Sequence, residues 1–428
     1  MGYIAGYLKE HGVSVQLVDC TFLSEAAALE KIRLSRPDII GIQIMFSMKE
    51  KALRMAHVLR KDCKLLVAGG PLPTSDPADF LDSFDAVAIG EGEQTTLELV
   101  NAIQNGDPAE LGKVRGIAFK NKDKTVPTPT RGFLEDLDSL PFPARELFDN
   151  RTYKDYYSKK FGYTTTSLIT SRGCPFQCDF CSRPIFGNRF RSRTAPNIAH
   201  EVEAIKALGY ERIWFADDCF TLNRERLLDI CNELIRSRVN ICWECLSRVD
   251  TVDSRVAAKM KKAGCVRVFF GIESGNDSVL RIMRKKATTK QAKDAVYTFK
   301  KAGIQVGAFF ILGYPGESDK TILDSVRFGS SLPLDYLSFT LPYPIPGTPL
   351  FERVKDKMIS NDWEEPEGFH LIKHRLLFRS PFSETKLKFA IFKGMTQFYV
   401  RKYLGEKGYS ILGKPYEHLT DAVYNVLN

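Results

Sequence analysis

Six short apolar segments that alternate with helical stretches constrain the fold of this chain most strongly. They begin near residue 163 and cover residues 165–173, 212–218, 241–247, 266–273, 306–313 and 336–342. Strands that alternate with helices form a parallel sheet whose faces the helices cover. Six strand-plus-helix units make most of an eight-unit barrel, so we expect a partial (β/α)6 TIM-like barrel that is open on one side.

A second alternating series occupies the chain up to about residue 125. Helix-like YIAGYLKEHG is followed by strand-like VSVQLVD, and the alternation continues through DIIGIQIMF, KLLVAGGPLPT and DAVAIGEGE to a helix at about 94–104. This α/β pattern predicts a doubly wound parallel sheet. Ligands of such sheets bind at the carboxyl ends of the strands, which makes Gly69, Gly70 and Glu91 candidate cofactor-binding residues.

The organisation predicted from these patterns has four parts. They are a doubly wound domain over 1–125, a proline-rich linker over 126–162, the barrel over 163–355 and a helical C-terminal extension over 356–428. Within the extension, Leu387, Ile391, Met395 and Phe398 recur near a helical period. We expect this helix to pack on the barrel rather than lie on a membrane surface.

Composition restricts the functional classes that remain. The net charge of +9 over 428 residues is modest and the charges are interspersed, which does not favour a nucleic-acid partner. No apolar run of about 18 residues predicts a membrane span, and a cytoplasmic enzyme is expected. Ten cysteines in such a chain indicate metal binding or buried thiols rather than disulfides.

Three of these cysteines, Cys174, Cys178 and Cys181, share the spacing C-x3-C-x2-C directly after the first barrel strand. Soft thiolates suit zinc or an iron–sulfur cluster. A structural zinc ion needs a fourth ligand, for which Cys219 is the nearest candidate. A [4Fe–4S] cluster held by three cysteines leaves one iron open to a small molecule.

The segment CPFQCDFC resembles the signature of the radical S-adenosylmethionine (SAM) superfamily. The resemblance implies that the open iron binds SAM and that reductive cleavage yields methionine and a 5′-deoxyadenosyl radical, with electrons from a flavodoxin- or ferredoxin-type donor. It also implies cofactor-binding roles near the adenine, amino group, ribose or carboxylate of SAM for Phe180, Asp217, Asp218, Arg248, Glu273 and Gly313. Helix capping for the aspartates, a lysine partner for Glu273 and a surface location for Arg248 remain alternatives.

The domain order, with LPFPAR and YPIPGTPLF, resembles the cobalamin-binding branch, which includes the anaerobic magnesium-protoporphyrin monomethyl ester cyclase and hopanoid methyltransferases. This implies bound cobalamin and methyl transfer, cyclisation or rearrangement on a small organic substrate that the sequence does not name. A complete domain of this kind begins with a strand, whereas this chain opens in a helix, so we expect the first strand to be missing. No D-x-H-x-x-G stretch provides a histidine below cobalt, and a scaffold without cobalamin is the alternative.

Two other functions stay open. A methylthiotransferase acting on transfer RNA is less favoured, because such enzymes use three further N-terminal cysteines and only Cys20 and Cys63 occur there. A redox or sensor module with a purely structural cluster needs a fourth protein ligand.

Overall fold

The computed structural model describes residues 1–104, 108–122, 124–360 and 375–427, and two large sheets dominate it. The N-terminal helices are α1 (Gly2–Glu10), α2 (Glu25–Ser35), α3 (Lys49–Leu59), α4 (Pro71–Ser75) and α5 (Glu93–Gln104). The strands among and after them are β1 (Ile39–Gln43), β2 (Leu65–Gly69), β3 (Ala86–Ala88), β4 (Ile117–Asn121) and β5 (Lys124–Pro127).

The N-terminal sheet has the order β1-β2-β3-β4-β5, in which β1 to β3 are parallel and β4 and β5 are antiparallel. Apolar side chains of β1 and β2, such as Ile40 and Leu66, pack under α3. The doubly wound parallel sheet is therefore confirmed, with an antiparallel hairpin that the sequence pattern did not predict.

The predicted strand VSVQLVD (13–19) is wrong, because this stretch belongs to neither a strand nor a helix. Within the described residues, β1 is the last strand on that side of the sheet. Without a neighbouring strand the segment gains no ladder of backbone hydrogen bonds, which is the physical reason that its alternating apolar pattern does not suffice.

The barrel region begins after α6 (Asn150–Phe161), a helix within the predicted linker. Its strands are β6 (Thr165–Leu168), β7 (Ser171–Arg172), β8 (Arg191–Ser192), β9 (Arg212–Phe215), β10 (Cys242–Ser247), β11 (Cys265–Glu273), β12 (Gln305–Ile311) and β13 (Tyr336–Thr340). Its helices are α7 (Ala195–Ala207), α8 (Arg224–Arg236), α9 (Ser254–Lys262), α10 (Asp277–Ile282), α11 (Thr289–Lys301), α12 (Asp319–Ser331) and α13 (Pro349–Val354).

All six predicted barrel strands form one parallel sheet in the order β13-β12-β11-β10-β9-β6. The sheet does not close between β6 and β13, as expected for six units. Side-chain caps fix where the covering helices begin: Thr194 caps α7, Asn223 caps α8, and Thr288 forms a capping box with Gln291 at α11. The main core lies between this sheet and its helices.

The C-terminal region contains α14 (Glu384–Gly408) and α15 (Lys414–Val426). Leu387, Ile391 and Phe398 are buried in the barrel core, which confirms a helix packed on the barrel. Of the predicted extension 356–428, residues 361–374 and 428 lie outside the described residues. Among the helices of the described ranges, none combines the length and the apolar character needed to cross a membrane.

Candidate active site

The three motif cysteines lie on a loop that follows β7 at the carboxyl end of the first barrel strand. Gly173 opens the loop with a φ of +82°, and a Cβ there would lie 2.2 Å from the Arg189 carbonyl oxygen, so only glycine fits. The Cys174 amide donates to the Gly187 carbonyl (3.3 Å), which closes the loop on itself. Arg183 donates to the Cys174 carbonyl at 2.7 Å.

The cysteines differ in exposure: Cys174 and Cys178 are buried, whereas Cys181 is exposed. Burial raises the pKa of the Cys174 thiol, and nearby Arg183 opposes that rise. The Cys178 sulfur accepts a hydrogen bond from Arg248 at 3.7 Å. In the described ranges, no three His, Cys, Asp or Glu side chains converge closely enough to bind a single metal ion.

Asp179, between two motif cysteines, anchors the loop to the barrel. Its fully buried carboxylate accepts hydrogen bonds from the Tyr314 hydroxyl (2.8 Å) and from Arg353 (2.5 Å). The adjacent Phe180 ring meets Tyr314 edge to face, with centroids 6.4 Å apart. Phe180 is therefore an apolar wall beside the cysteines.

Arg248, predicted to bind a carboxylate, follows β10 and is buried beside the cysteine loop. Its guanidinium forms a two-pronged ion pair with Asp250, with both N–O distances 2.8 Å, and lies 3.6 Å from the Phe176 ring centroid. The surface alternative for Arg248 is wrong, since only 5% of the residue is exposed. Asp250 and Phe176 were missed by sequence reasoning, although both lie within four residues of a residue that was singled out.

Glu273 ends β11 in the left-handed region, with a φ of +71°. This unusual conformation for a non-glycine residue turns its carboxylate back over Gly271, where it binds Lys285 at 2.9 Å. Both side chains are buried. The lysine-partner alternative is thus observed, and the pair lies at the end of the sheet where the cysteine loop lies, because Lys285 also interacts electrostatically with Cys178.

The adjacent aspartates have different surroundings. Asp217 is buried and accepts hydrogen bonds from the Thr170 amide (2.6 Å) and the Ser171 hydroxyl (2.6 Å), so it joins the end of β6 to that of β9. Asp218 is exposed and lies close enough to Cys174 to raise the pKa of the Cys174 thiol. The pKa of the Asp218 carboxyl is itself raised, mainly by desolvation and then by the neighbouring charge of Asp217. Asp218 is the one of the two with a carboxylate open toward the cysteine loop.

Gly313, predicted to let the backbone approach a cofactor, has a φ of +84°. Its Cα faces Leu387 of α14, because a Cβ there would lie 2.6 Å from the leucine Cδ1. The amides of Gly313 and Tyr314 donate to the Glu317 carboxylate at 2.8 and 2.9 Å. The structure thus gives this glycine a role in helix packing and in the turn after β12.

The glycines of the N-terminal sheet lie at strand ends as predicted. Gly70 has a φ of +111°, and a Cβ there would lie 2.8 Å from the Ile44 carbonyl oxygen, whereas a Cβ on Gly69 would meet nothing closer than 3.8 Å. Both glycines line a cavity of about 2350 Å³ that also contacts Arg172, Ile185 and Phe186 at the two ends of the cysteine loop. The cavity thus joins the two sheets.

Glu91, predicted to bind a cofactor, lines the same cavity and forms a buried interdomain ion cluster. Its carboxylate accepts hydrogen bonds from Arg172 (2.8 Å), from Arg191 (2.9 Å) and from the Leu134 amide (2.8 Å). Glu93 adds a second contact to Arg172 at 2.6 Å. Because Arg172 and Arg191 flank the cysteine loop, the cluster fixes that loop against the N-terminal domain.

A doubly wound domain is followed by a six-stranded open barrel with three cysteines after its first strand. This is the arrangement expected for a radical SAM enzyme with an N-terminal domain of the cobalamin-binding kind. Comparisons with known proteins agree with that class. The family description "Radical SAM superfamily" matches residues 168–329, and "B12 binding domain" matches residues 1–100.

Two curated relatives extend the match over most of the chain. An uncharacterized methyltransferase of Pyrococcus horikoshii is 34% identical over 363 residues, which are 82% of this chain and 77% of the relative. The anaerobic magnesium-protoporphyrin IX monomethyl ester cyclase of Rubrivivax gelatinosus is 30% identical over 378 residues. The match covers 85% of this chain and 67% of the cyclase.

Solved structures share the fold. The cobalamin-dependent SAM radical enzyme OxsB, with aqua-cobalamin and SAM bound, superposes with a TM-score of 0.75 at 18% identity, covering 98% of this chain and 68% of that one. The radical SAM methyltransferase TsrM from Kitasatospora setae superposes with a TM-score of 0.70 at 18% identity. The match covers 83% of this chain and 71% of TsrM.

The chain belongs to the radical SAM superfamily and carries a B12 binding domain. It is therefore an enzyme whose family uses a [4Fe–4S] cluster and SAM, and its N-terminal domain implies cobalamin. Enzymes of this superfamily require an electron donor and act on small substrates.

Proposed function

We propose that the protein is a cobalamin-dependent methyltransferase that acts on a carbon atom of a small organic molecule. In this proposal Cys174, Cys178 and Cys181 hold the cluster. The observation that carries it is the shared cavity, since the glycine-bearing strand ends of one sheet and the flanks of the cysteine loop line the same space. Two cofactors whose chemistry must be combined need such a common space.

The donor set fits a cluster with one open iron. The three thiols are on one loop, and Arg183, Arg248 and Lys285 bring positive charge toward it. Cations near thiolates offset their negative charge and stabilise the deprotonated form that binds iron. The buried Cys219 thiol contacts the Thr221 hydroxyl at 3.8 Å and interacts electrostatically with Cys174, and in this proposal it does not bind the cluster.

The N-terminal domain fits cobalamin at the carboxyl ends of its strands. Gly69 and Gly70 place bare backbone there, and Gly70 cannot be replaced without a clash at Ile44. The cavity continues along the segment that begins at Val13 and along β1. A long, narrow group reaching into a doubly wound sheet from its strand ends requires this kind of opening.

When bound, the cluster and SAM supply a radical that removes hydrogen from the substrate, and cobalamin supplies a methyl carrier. The residues of this chain then orient and shield these groups. Glu273 offers a buried carboxylate to hydroxyl groups, and Phe180 excludes water beside the cysteines. Arg248 keeps a positive charge beside Cys178, and Asp218 offers an acceptor near Cys174.

A flavodoxin- or ferredoxin-type electron donor and a cytoplasmic location belong to the same proposal. The ten cysteines of the structure are free thiols, as a reducing compartment maintains them.

Product analysis tests the proposal. Methyl donation from SAM leaves S-adenosylhomocysteine, whereas its reductive cleavage leaves 5′-deoxyadenosine. The protein, produced with cobalamin and reconstituted anaerobically with iron and sulfide, is expected to contain cobalt and to form both products when reduced in the presence of substrate. Formation of 5′-deoxyadenosine alone would instead favour cyclisation.

Cys178→Ala and Cys242→Ala provide matched variants, since Cys242 is an exposed thiol on β10 away from the loop. We expect Cys178→Ala to lose cluster iron and both products, and Cys242→Ala to keep them. Retention of full iron and product formation in Cys178→Ala would refute the assignment of the cluster ligands.

A further inference from the structure

The barrel sheet has a second, concave face, whose large aromatic side chains lie outside the main core between the sheet and its helices. Side chains alternate along a strand, and Phe215, Phe270 and Phe310 are buried against the helices. Their neighbours Trp214, Phe269 and Phe309 therefore point to the opposite, concave face, where they are only half-buried and lie outside the main core. Large aromatic side chains are thus presented inside the open barrel.

These three residues form a continuous aromatic band across β9, β11 and β12. The Trp214 and Phe269 rings meet edge to face with centroids 5.6 Å apart, and Phe269 and Phe309 stack at 5.5 Å. Gly307 makes the band possible, because a Cβ there would lie 2.3 Å from the Phe269 ring. The band offers ring faces and edges to a planar molecule.

A polar layer lies next to the band at the amino-terminal end of the strands. Arg267 is fully satisfied there, because it binds Glu244 (2.9 Å), Gln305 (2.9 Å) and the Tyr336 hydroxyl (2.8 Å). Arg212 precedes Trp214 by two residues on β9, so its side chain lies on the same face of the sheet. Its guanidinium lies 3.5 Å from the Tyr163 ring centroid.

Arg212 has hydrogen-bonding capacity that the protein does not use. Its buried Nε and Nη1 have no hydrogen-bond partner within the part of the chain that the structure describes. The Glu244 carboxylate interacts electrostatically with both guanidinium groups of this layer, but its ion pair and hydrogen bond are with Arg267 and leave the Arg212 donors unused. Buried donors without partners are costly, so an anionic acceptor fits this position.

The other end of the concave face leads to the cysteine loop. Gly271 follows Phe269 by two residues, and the Glu273 carboxylate and Lys285 ammonium lie directly over it. Two residues along a strand span about 7 Å. A molecule lying on the aromatic band therefore has one edge beside Glu273 and its opposite edge toward Arg212.

We infer that this concave face is the substrate surface and that it selects a planar, unsaturated molecule bearing an anionic group. The aromatic band contacts the ring system, Arg212 receives the anion, and the carbon to be modified lies toward Glu273 and the cysteines. This inference rests on the proposed function, since it assigns the substrate class of the same site.

Binding of three small probes to the full-length protein tests the inference. The probes are 2-naphthoate, which is planar and anionic; 2-naphthalenemethanol, which is planar and neutral; and decahydro-2-naphthoate, which is anionic but not planar. Calorimetric titration is expected to show 2-naphthoate binding about tenfold more tightly than either of the others. Equal affinity for all three would overturn the inference without requiring any variant to fold.

Matched variants locate the binding. Phe309→Leu is expected to weaken 2-naphthoate binding about fivefold, and Arg212→Gln is expected to abolish the preference over 2-naphthalenemethanol, with Arg212→Lys restoring part of it. Phe392→Leu and Arg255→Gln change exposed residues on helices and should bind like the wild type. Unchanged binding in Arg212→Gln would contradict the inference.

The two proposals fail separately. If the reduced wild-type protein forms both S-adenosylhomocysteine and 5′-deoxyadenosine but does not discriminate among the probes, the substrate class is wrong and the proposed function stands. If it discriminates among them as expected but never cleaves SAM, the surface stands and the proposed function is wrong.

Discussion

Replacing Glu91 with glutamine should weaken the contact between the N-terminal domain and the cysteine loop. Glu91 is 9% exposed, and its carboxylate binds two guanidinium groups, those of Arg172 and Arg191, at 2.8 and 2.9 Å. Breaking a buried ion pair from one side costs about 3 to 5 kcal/mol, because the remaining charge stays buried. Glutamine keeps the volume and one acceptor, so we expect the lower end, about 3 kcal/mol.

The matched control is Glu135→Gln, which removes an exposed ion pair with Arg189 at 2.6 Å in the same region. Exposed pairs contribute less than about 1 kcal/mol. We monitor urea unfolding by circular dichroism and compare the urea concentration at the midpoint of the first unfolding transition. This midpoint should be clearly lower for Glu91→Gln than for the wild type and almost unchanged for Glu135→Gln. Equal shifts for both variants would refute the assignment of Glu91 as the interdomain anchor.

Three further changes probe other parts of the structure. Burial raises the pKa of Glu317 from 4.5 to about 7, so the folded protein binds this proton more strongly than the unfolded chain and loses stability as the pH rises between these values. The free energy of unfolding should fall by about 3 kcal/mol across this pH range in the wild type, and much less in Glu317→Gln. Unfolding curves measured at several pH values test this, and the same pH dependence in both proteins would contradict the prediction. Gly70→Ala should lower cobalt content and stability, the latter by about 1 to 3 kcal/mol, since its left-handed backbone and the Ile44 carbonyl both exclude a Cβ; normal cobalt loading would argue against this site. Lys393→Met removes a fully buried ammonium that binds Asp421 at 2.8 Å. The opening free energy of α15, measured by amide hydrogen exchange, is expected to fall by about 2 kcal/mol, and exchange at the wild-type rate would contradict this.

The fold was largely predictable because its signals are local. Each barrel strand is a short apolar run between helical stretches, and all six were placed to within a few residues. The stretch from Val13 failed because a strand also needs a neighbour, and that information is not in its own residues. The antiparallel pair β4 and β5 was missed for the related reason that its sequence lacks a sustained period.

The site was less predictable because its contacts are long-range. Glu91 lies at a strand end where ligands commonly bind, yet its partners Arg172 and Arg191 are distant in sequence. Lys285 gave no signal at all, because its role depends on the left-handed turn at Glu273. The cysteine motif was identifiable since its spacing alone brings three thiols onto one loop.

Electron paramagnetic resonance of the reduced, reconstituted protein, recorded with and without SAM, tests the central claim most directly. If Cys174, Cys178 and Cys181 hold a cluster with one open iron, the spectrum must show a cluster signal that changes when SAM is added. A signal that SAM leaves unaltered, or that persists unchanged in Cys178→Ser, would contradict the account.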